Sequence, residues 1–111
     1  MGASVYKINA TGAAAIAATA TVPVGMAYRL VSVGCHFNLA PAAAGNLTVT
    51  LNAAAAAAYD TLLKTDSMVG VTNYLWLPDN EILLTSLDAV DVAYANADTR
   101  TYGVQITLKA V

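Results

Sequence analysis

Over most of its length the chain alternates hydrophobic and polar residues with a period of two, the signature of half-buried β-strands. The stretch "AYRLVSVGCHFNLA", residues 27–40, is the clearest long strand. Val31, Val33, Cys35, Phe37 and Leu39 fall on one face, and Ser32, Gly34, His36 and Asn38 on the other. Arg29 is in phase with the apolar set but stands near the strand start, where it can reach solvent. "NLTVTLN" repeats the pattern compactly, with Leu47, Val49 and Leu51 inward and Thr48 and Thr50 outward. "MVGVTNYLWLPDNE" predicts a strand ending at Pro78, and "EILLTSLDAVDVAYAN" predicts two short strands around a tight turn at "SLDA", with Val90, Val92 and Tyr94 sharing a face. "TYGVQITLKA" closes the chain, placing Tyr102, Val104, Ile106 and Leu108 inward. "SVYKI" reads as a short N-terminal strand or an extended arm.

Two alanine-rich segments are ambiguous by pattern alone. "AAAIAATATV" is compatible with strand or helix, but Thr19 and Thr21 alternate with small residues before the breakers Pro23 and Gly25, which favours a strand running into a turn. "NAAAAAAYDTLLK", residues 52–64, contains six consecutive alanines, and alanine is the best helix former. A helix this short is marginal in water, and a face of methyl groups offers little to dock. The expectation is therefore a loop or a single helical turn through the alanines, followed by a strand over "YDTLLKTD".

Turn chemistry separates these segments: Pro41 and Gly45 in "APAAAGN", the "PDN" triplet, and "NADTR". The sum is about eight strands at short, regular spacing, which predicts an all-β fold, a single antiparallel sandwich or barrel. The 111 residues suffice for one domain, residues 1–111, with residues 1–12 as a candidate N-terminal arm.

Composition changes the picture. Hydrophobic residues make up 58% of the chain and charged residues only 11%, where about a quarter charged is ordinary. That excludes a disordered chain. The longest apolar runs are alanine-rich, interrupted by Thr and Pro, and shorter than the ~20 strongly apolar residues of a membrane span. "MGASVYKINATG" has neither the basic start nor the leucine-like core of a secretory signal. The net charge is −2, too small for strong repulsion between copies. Contiguous exposed apolar surface usually marks an interface, so the composition predicts a chain that lives in an assembly.

Candidate chemistry is sparse. Cys35 is the sole cysteine and His36 the sole histidine. Adjacent strand residues point to opposite faces, so the two cannot act as a nucleophile–base pair; Cys35 reads as a buried structural thiol and His36 as a half-exposed strand residue. Asp79, Asn80 and Glu81 resemble an oxygen-rich cation loop, but their spacing is that of a turn. Asp98 and Arg100 are expected to pair or to cap their turn. The basic residues Lys7, Arg29, Lys64, Arg100 and Lys109 are scattered along the chain, which disfavours nucleic-acid binding. Trp76 and the six tyrosines could line a sugar-binding surface, although such residues are more often core or interface anchors. No enzymatic motif and no cofactor motif is present.

The C-terminal third, "LWLPDNEILLTSLDAVDVAYANADTRTYGVQITLKAV" together with "YDTLLKTDS", resembles the capsid decoration (head-stabilising or cement) proteins of tailed bacteriophages. The shared pattern is an aromatic–proline turn, a short strand, a tight acidic turn, the "VDVAYAN" strand and "DTRTYGVQITL". The N-terminal half matches only in its alanine- and threonine-rich style. Where related sequences carry Gly before the Asp of the tight turn, this chain has Leu87 before Asp88. The resemblance implies a jelly-roll β-sandwich, often a homotrimer, on the outer capsid surface of the virion. There it bridges neighbouring capsomers of the major capsid protein, with no cofactor, nucleic acid or membrane involved. Tail or fibre accessory proteins share the pattern, and a carbohydrate- or receptor-binding jelly roll is the alternative from another functional class. In this setting "MGASVYKINATG" is either a frayed terminus or an arm that adds to a sheet edge of another subunit or to the capsid. Its apolar residues Ala3, Val5, Tyr6 and Ile8 are then the candidate contacts.

Overall fold

The fold is given by a computed structural model in which residues 4–111 are described. Among the described residues there are nine strands: β1 (Val5–Gly12), β2 (Ile16–Thr21), β3 (Tyr28–Phe37), β4 (Asn46–Asn52), β5 (Thr61–Ser67), β6 (Asn73–Trp76), β7 (Leu83–Leu84), β8 (Ala89–Tyr94) and β9 (Tyr102–Ala110). Their pairings are antiparallel. One sheet has the order β1-β9-β3-β6 with β7 also on β3, and the other has the order β2-β8-β4-β5.

Strand β9 lies along one side of β3 from Tyr28 to Phe37, so β6 and β7 share its other side. β6 pairs with Val33–His36 and β7 with Tyr28–Arg29. They act as one edge strand interrupted by residues 77–82. Counted that way, the pairs β1·β9, β2·β8, β3·β6/β7 and β4·β5 nest inside one another. This is a single long hairpin rolled into two sheets, a jelly-roll form of the antiparallel sandwich that the pattern led us to expect.

The rolled hairpin explains the alanine run. Residues 53–60 are its tip. They form a loop with one turn of 3₁₀ helix at Ala57–Tyr59, followed by β5. The short turn buries none of its residues. Carboxylates hold the tip instead: Asp60 accepts the Ala53 N–H at 2.7 Å and Asp88 accepts the Ala54 N–H at 2.9 Å. In β2 the same helix-forming residue sits in a strand, because pairing with β8 turns Ile16, Ala18 and Ala20 into the core and leaves Ala17, Thr19 and Thr21 outside. Tertiary pairing overrides propensity here.

The core lies between the sheets. Val33, Phe37, Leu47, Val49, Leu84, Val90, Val92, Ile106 and Leu108 are fully buried, each contributing roughly 1.5–3 kcal/mol of transfer free energy. Phe37 and Tyr94 meet edge to face across the sandwich with ring centroids 5.5 Å apart. The inward sets expected for β8 and β9 are observed. In β3 the expected set needs correction. The register with β9 slips between Leu30 and Ser32, so Val31 becomes the extra residue of a bulge and is only half-buried. Tyr28 and Leu30 face the core before the slip, and Val33, Cys35 and Phe37 face it after. A bulge adds one residue to one strand and so reverses the phase of the residues beyond it. Leu39, past the strand end, is exposed.

The connections gather at two ends. Residues 13–15, 38–45, 68–72 and 95–101 meet at one end, joined by Gly70 N–H to Pro41 O and Asn38 N–H to Thr101 O. Asn96, 3% exposed and the only buried polar residue of the described core, organises them. Its amide donates to the carbonyls of Ala13, Ala14 and Arg100 at 3.2, 2.8 and 2.9 Å, and its Oδ1 accepts the Arg100 N–H at 2.9 Å. Its φ of 53° suits asparagine better than most residues. Residues 22–27, 53–60 and 85–88 form the opposite end, where Ala110 N–H reaches Ser4 O and Val111 N–H reaches Ala27 O.

The hub and the strained turn can each be tested by substitution. Asn96→Ala strips three carbonyls and one N–H of partly buried bonds and lowers unfolding free energy by about 2–4 kcal/mol; a loss below about 1 kcal/mol in urea titration would refute the hub role. Leu87 holds a φ of 66° with an exposed side chain. Leu87→Gly relieves a left-handed strain at little cost in burial, and should raise stability by about 0.5–1 kcal/mol in the same assay.

Candidate interaction surfaces

Of the contact residues expected in the N-terminal segment, Ala3 lies outside the described residues. Val5 opens β1 and faces solvent. Tyr6 and Ile8 turn the other way and pack, half-buried, against the core, with the Tyr6 ring 6.0 Å from that of Tyr28. Residues 5–12 therefore extend the chain's own sheet along β9, and among the described residues the outer side of β1 carries no strand.

The end built from residues 22–27, 53–60 and 85–88 exposes several large apolar side chains. Val24 is 75% exposed and Val111 74%, beside Met26, Leu87 and Tyr59, and Ala54–Ala58 are exposed as well. The loops presenting them are tied down. Val22 N–H donates to Asp88 O, Leu87 N–H donates to Val22 O, and Gly25 N–H donates to Ser86 Oγ at 3.0 Å. Asp88 accepts from the Ala54 N–H and from the N–H and hydroxyl of Thr85. These bonds, led by the one from Ala54, hold its carboxyl below the usual carboxylate range. The carboxylates of this end thus serve its own loops, and the surface they brace is methyl-rich.

The outer face of the β1-β9-β3-β6 sheet forms a shallow depression of about 610 Å³ near the other end. Its floor is Gly34 and Gly103, and its walls are Asn9, Thr11, His36, Asn73, Leu75 and Gln105. The wall groups pair with each other: Gln105 Nε2 donates to Asn9 Oδ1 at 3.0 Å, and His36 Nδ1 lies 2.7 Å from Asn73 Oδ1. Tyr74 of β6 also lines the depression, while the side chains of Tyr74 and Trp76 occupy the half-buried positions of the strand. Trp76 packs against the core from the inner side, and the Tyr74 hydroxyl donates to Asp66.

Cys35 and His36 project to opposite faces, as strand geometry requires. Burial pushes the Cys35 thiol up to about 11, so the thiolate that reactive cysteines need is scarce. Among the described residues, no group of three or more His, Cys, Asp or Glu side chains is arranged to hold a metal ion. Asp79 and Glu81 are exposed in the 77–82 segment.

Asp98 caps as well as pairs. Its Oδ2 accepts the N–H groups of Ala42 and Ala43 at 2.7 and 2.8 Å and lies 3.9 Å from Arg100 Nη2. The two backbone bonds, Ala43 first, lower its pKa. Three of the five basic residues, dispersed in sequence, are not dispersed in space: Lys7, Arg29 and Lys109 all project from the outer face of one sheet. Sequence periodicity within each strand shows the side each residue faces, but not that the three strands lie together.

Because Asp88 and Asp98 are more acidic folded than unfolded, their contribution is fully present above the unfolded carboxylate pKa of about 3.9 and is lost as pH falls through the lower folded values. Thermal unfolding followed by circular dichroism should show Tm falling below about pH 4. Asp88→Asn/Asp98→Asn should lower Tm at pH 7 and flatten that acid slope; an unchanged slope refutes the assignment.

No family model matches the chain, and no curated protein is significantly similar to it, so its function is read from its fold and its surfaces.

Proposed function

We propose that this protein is a virion structural protein that decorates the outer surface of a phage capsid. It binds there as a homo-oligomer, most simply a trimer, and bridges neighbouring capsomers of the major capsid protein. The observation that carries this reading is the braced apolar end: Val24, Met26, Leu87, Val111 and the alanine tip, exposed on a rigid jelly roll. Monomeric proteins rarely leave a contiguous surface of this kind wet.

The physics of lattice clamping suits these side chains. Valine, methionine and alanine are desolvated cheaply, whereas a buried charge is costly unless paired. Rigid loops lose little conformational entropy on docking. A capsid repeats the same site many times, and linking several weak contacts through one oligomer raises the effective concentration of the rest, so a modest contact becomes slow to release. The role needs no cofactor and no reacting group.

The copy number in purified virions, by quantitative mass spectrometry, tests the reading. Abundance in stoichiometric proportion to the major capsid protein is expected. A few copies per particle would move the protein to the tail or fibre, and absence from particles would overturn the proposal. Val24→Glu/Leu87→Glu places charges on the apolar end and should weaken binding to undecorated shells by at least about tenfold while leaving the fold intact. Unchanged binding would show that this end is not the docking surface.

A further inference from the structure

The chain's charges divide into those engaged within the molecule and those that are not. Five acids accept intramolecular bonds: Asp60 from Ala53, Asp66 from Tyr74, Asp88 from Ala54, Asp91 from Thr19 and Asn52, and Asp98 from Ala42 and Ala43. Two of the bases sit beside acids, Lys64 by Asp66 and Arg100 by Asp98. Among the described residues, the remaining acids, Asp79 and Glu81, and the remaining bases, Lys7, Arg29 and Lys109, have no side-chain hydrogen bond or ion pair.

These five residues fall into two patches. Lys109 is the register partner of Arg29 on one side and of Val5 on the other, and Lys7 stands diagonally from it opposite Thr107. All three cations rise from the outer face of the sheet on β1, β9 and β3. Like charges placed opposite on a sheet repel, so this face gains from an anion set against it. Asp79 and Glu81 hang from the other margin of the same sheet, in the segment between β6 and β7. Lys7 is three strand spacings from that margin, about 14 Å; Arg29, on the adjoining β3, is the register partner of Leu83, two residues beyond Glu81, and yet among the described residues no ion pair joins it to either acid. Each patch has apolar neighbours: Val5 beside the bases, and Leu75 (66% exposed) and Leu77 beside the acids.

We propose that the Lys7–Arg29–Lys109 face receives the Asp79–Glu81 loop of a second copy of this chain, so that the protein assembles head to tail into a closed ring. One subunit offers one cationic face and one acidic loop, and a closed ring satisfies every patch. Exposed ion pairs contribute little to stability singly, but complementary patches set the orientation and register of a contact, while Val5, Leu75 and Leu77 supply apolar area. The inference deepens the homo-oligomer part of the function proposed above and rests on it, but not on capsid binding.

Charge exchange on the purified full chain tests it, with mass read by sedimentation or native mass spectrometry. The unmodified protein is expected to be oligomeric near 0.1 M salt and to dissociate more readily near 1 M, where the screening length drops to about 3 Å. Lys7→Glu/Lys109→Glu and, separately, Asp79→Lys/Glu81→Lys should each weaken assembly on the order of 100-fold, and the milder Lys7→Ala/Lys109→Ala about tenfold. The chain carrying both reversals should regain the original mass. A monomer at every concentration, an oligomer indifferent to the reversals, or a combined variant that stays dissociated would each overturn the proposal. Circular dichroism confirms that each variant is folded. Binding of the same variants to undecorated shells is scored separately, so a failed ring and a failed capsid role are told apart.

Discussion

Strand β9 pairs along its length with β1 on one side and with β3 on the other. Its Tyr102, Val104, Ile106 and Leu108 form an inward row at the centre of the core. The strict alternation of this row constrains everything around it, because a slip of one residue would expose all four side chains at once. The last strand of the chain thus joins the first and third, and the long-range pairings β2·β8 and β4·β8 complete the second sheet. Such non-local topology is slow to form, and it makes the ends of the sandwich depend on the core rather than the reverse.

A chain with few charges has used most of its carboxylates as structural acceptors. Asp60, Asp88 and Asp98 cap backbone N–H groups in loops, and Asn96 does the equivalent work inside. Loop backbone that cannot pair in a sheet must find partners elsewhere. Short acidic and amide side chains provide them at the ends of the rolled hairpin. This is why loops made largely of alanine, glycine and proline can be rigid. It also leaves their methyl groups free to face outward as a surface.

Two surfaces result, with different physical character. The braced end is neutral and apolar, suited to a partner whose own surface can be desolvated cheaply. The outer face of the β1-β9-β3-β6 sheet carries an unbalanced set of cations, and the far margin of that sheet carries unbalanced anions. The first kind of surface supplies affinity and the second supplies direction. The proposed role, clamping a lattice while binding copies of the same chain, would draw on both, and the two lie on different parts of the same small domain.

The sequence by itself determined the fold class, most of the strands and turns, and the inward rows of β4, β8 and β9, because a period of two is set by backbone geometry and needs no partner to be read. It also showed that Cys35 and His36 part to opposite faces. It misassigned Val31 and Leu39, since a bulge is a property of two strands in register and only the pairing with β9 revealed the extra residue. It left the alanine run open between loop and helical turn, which was decided by where Asp60 and Asp88 stand in space. Lys7, Arg29 and Lys109 looked dispersed over more than a hundred residues. Only the rolling of the hairpin brought β1, β3 and β9 side by side, because neighbours across a sheet are chosen by topology, and topology is written in contacts between distant segments rather than in any local pattern.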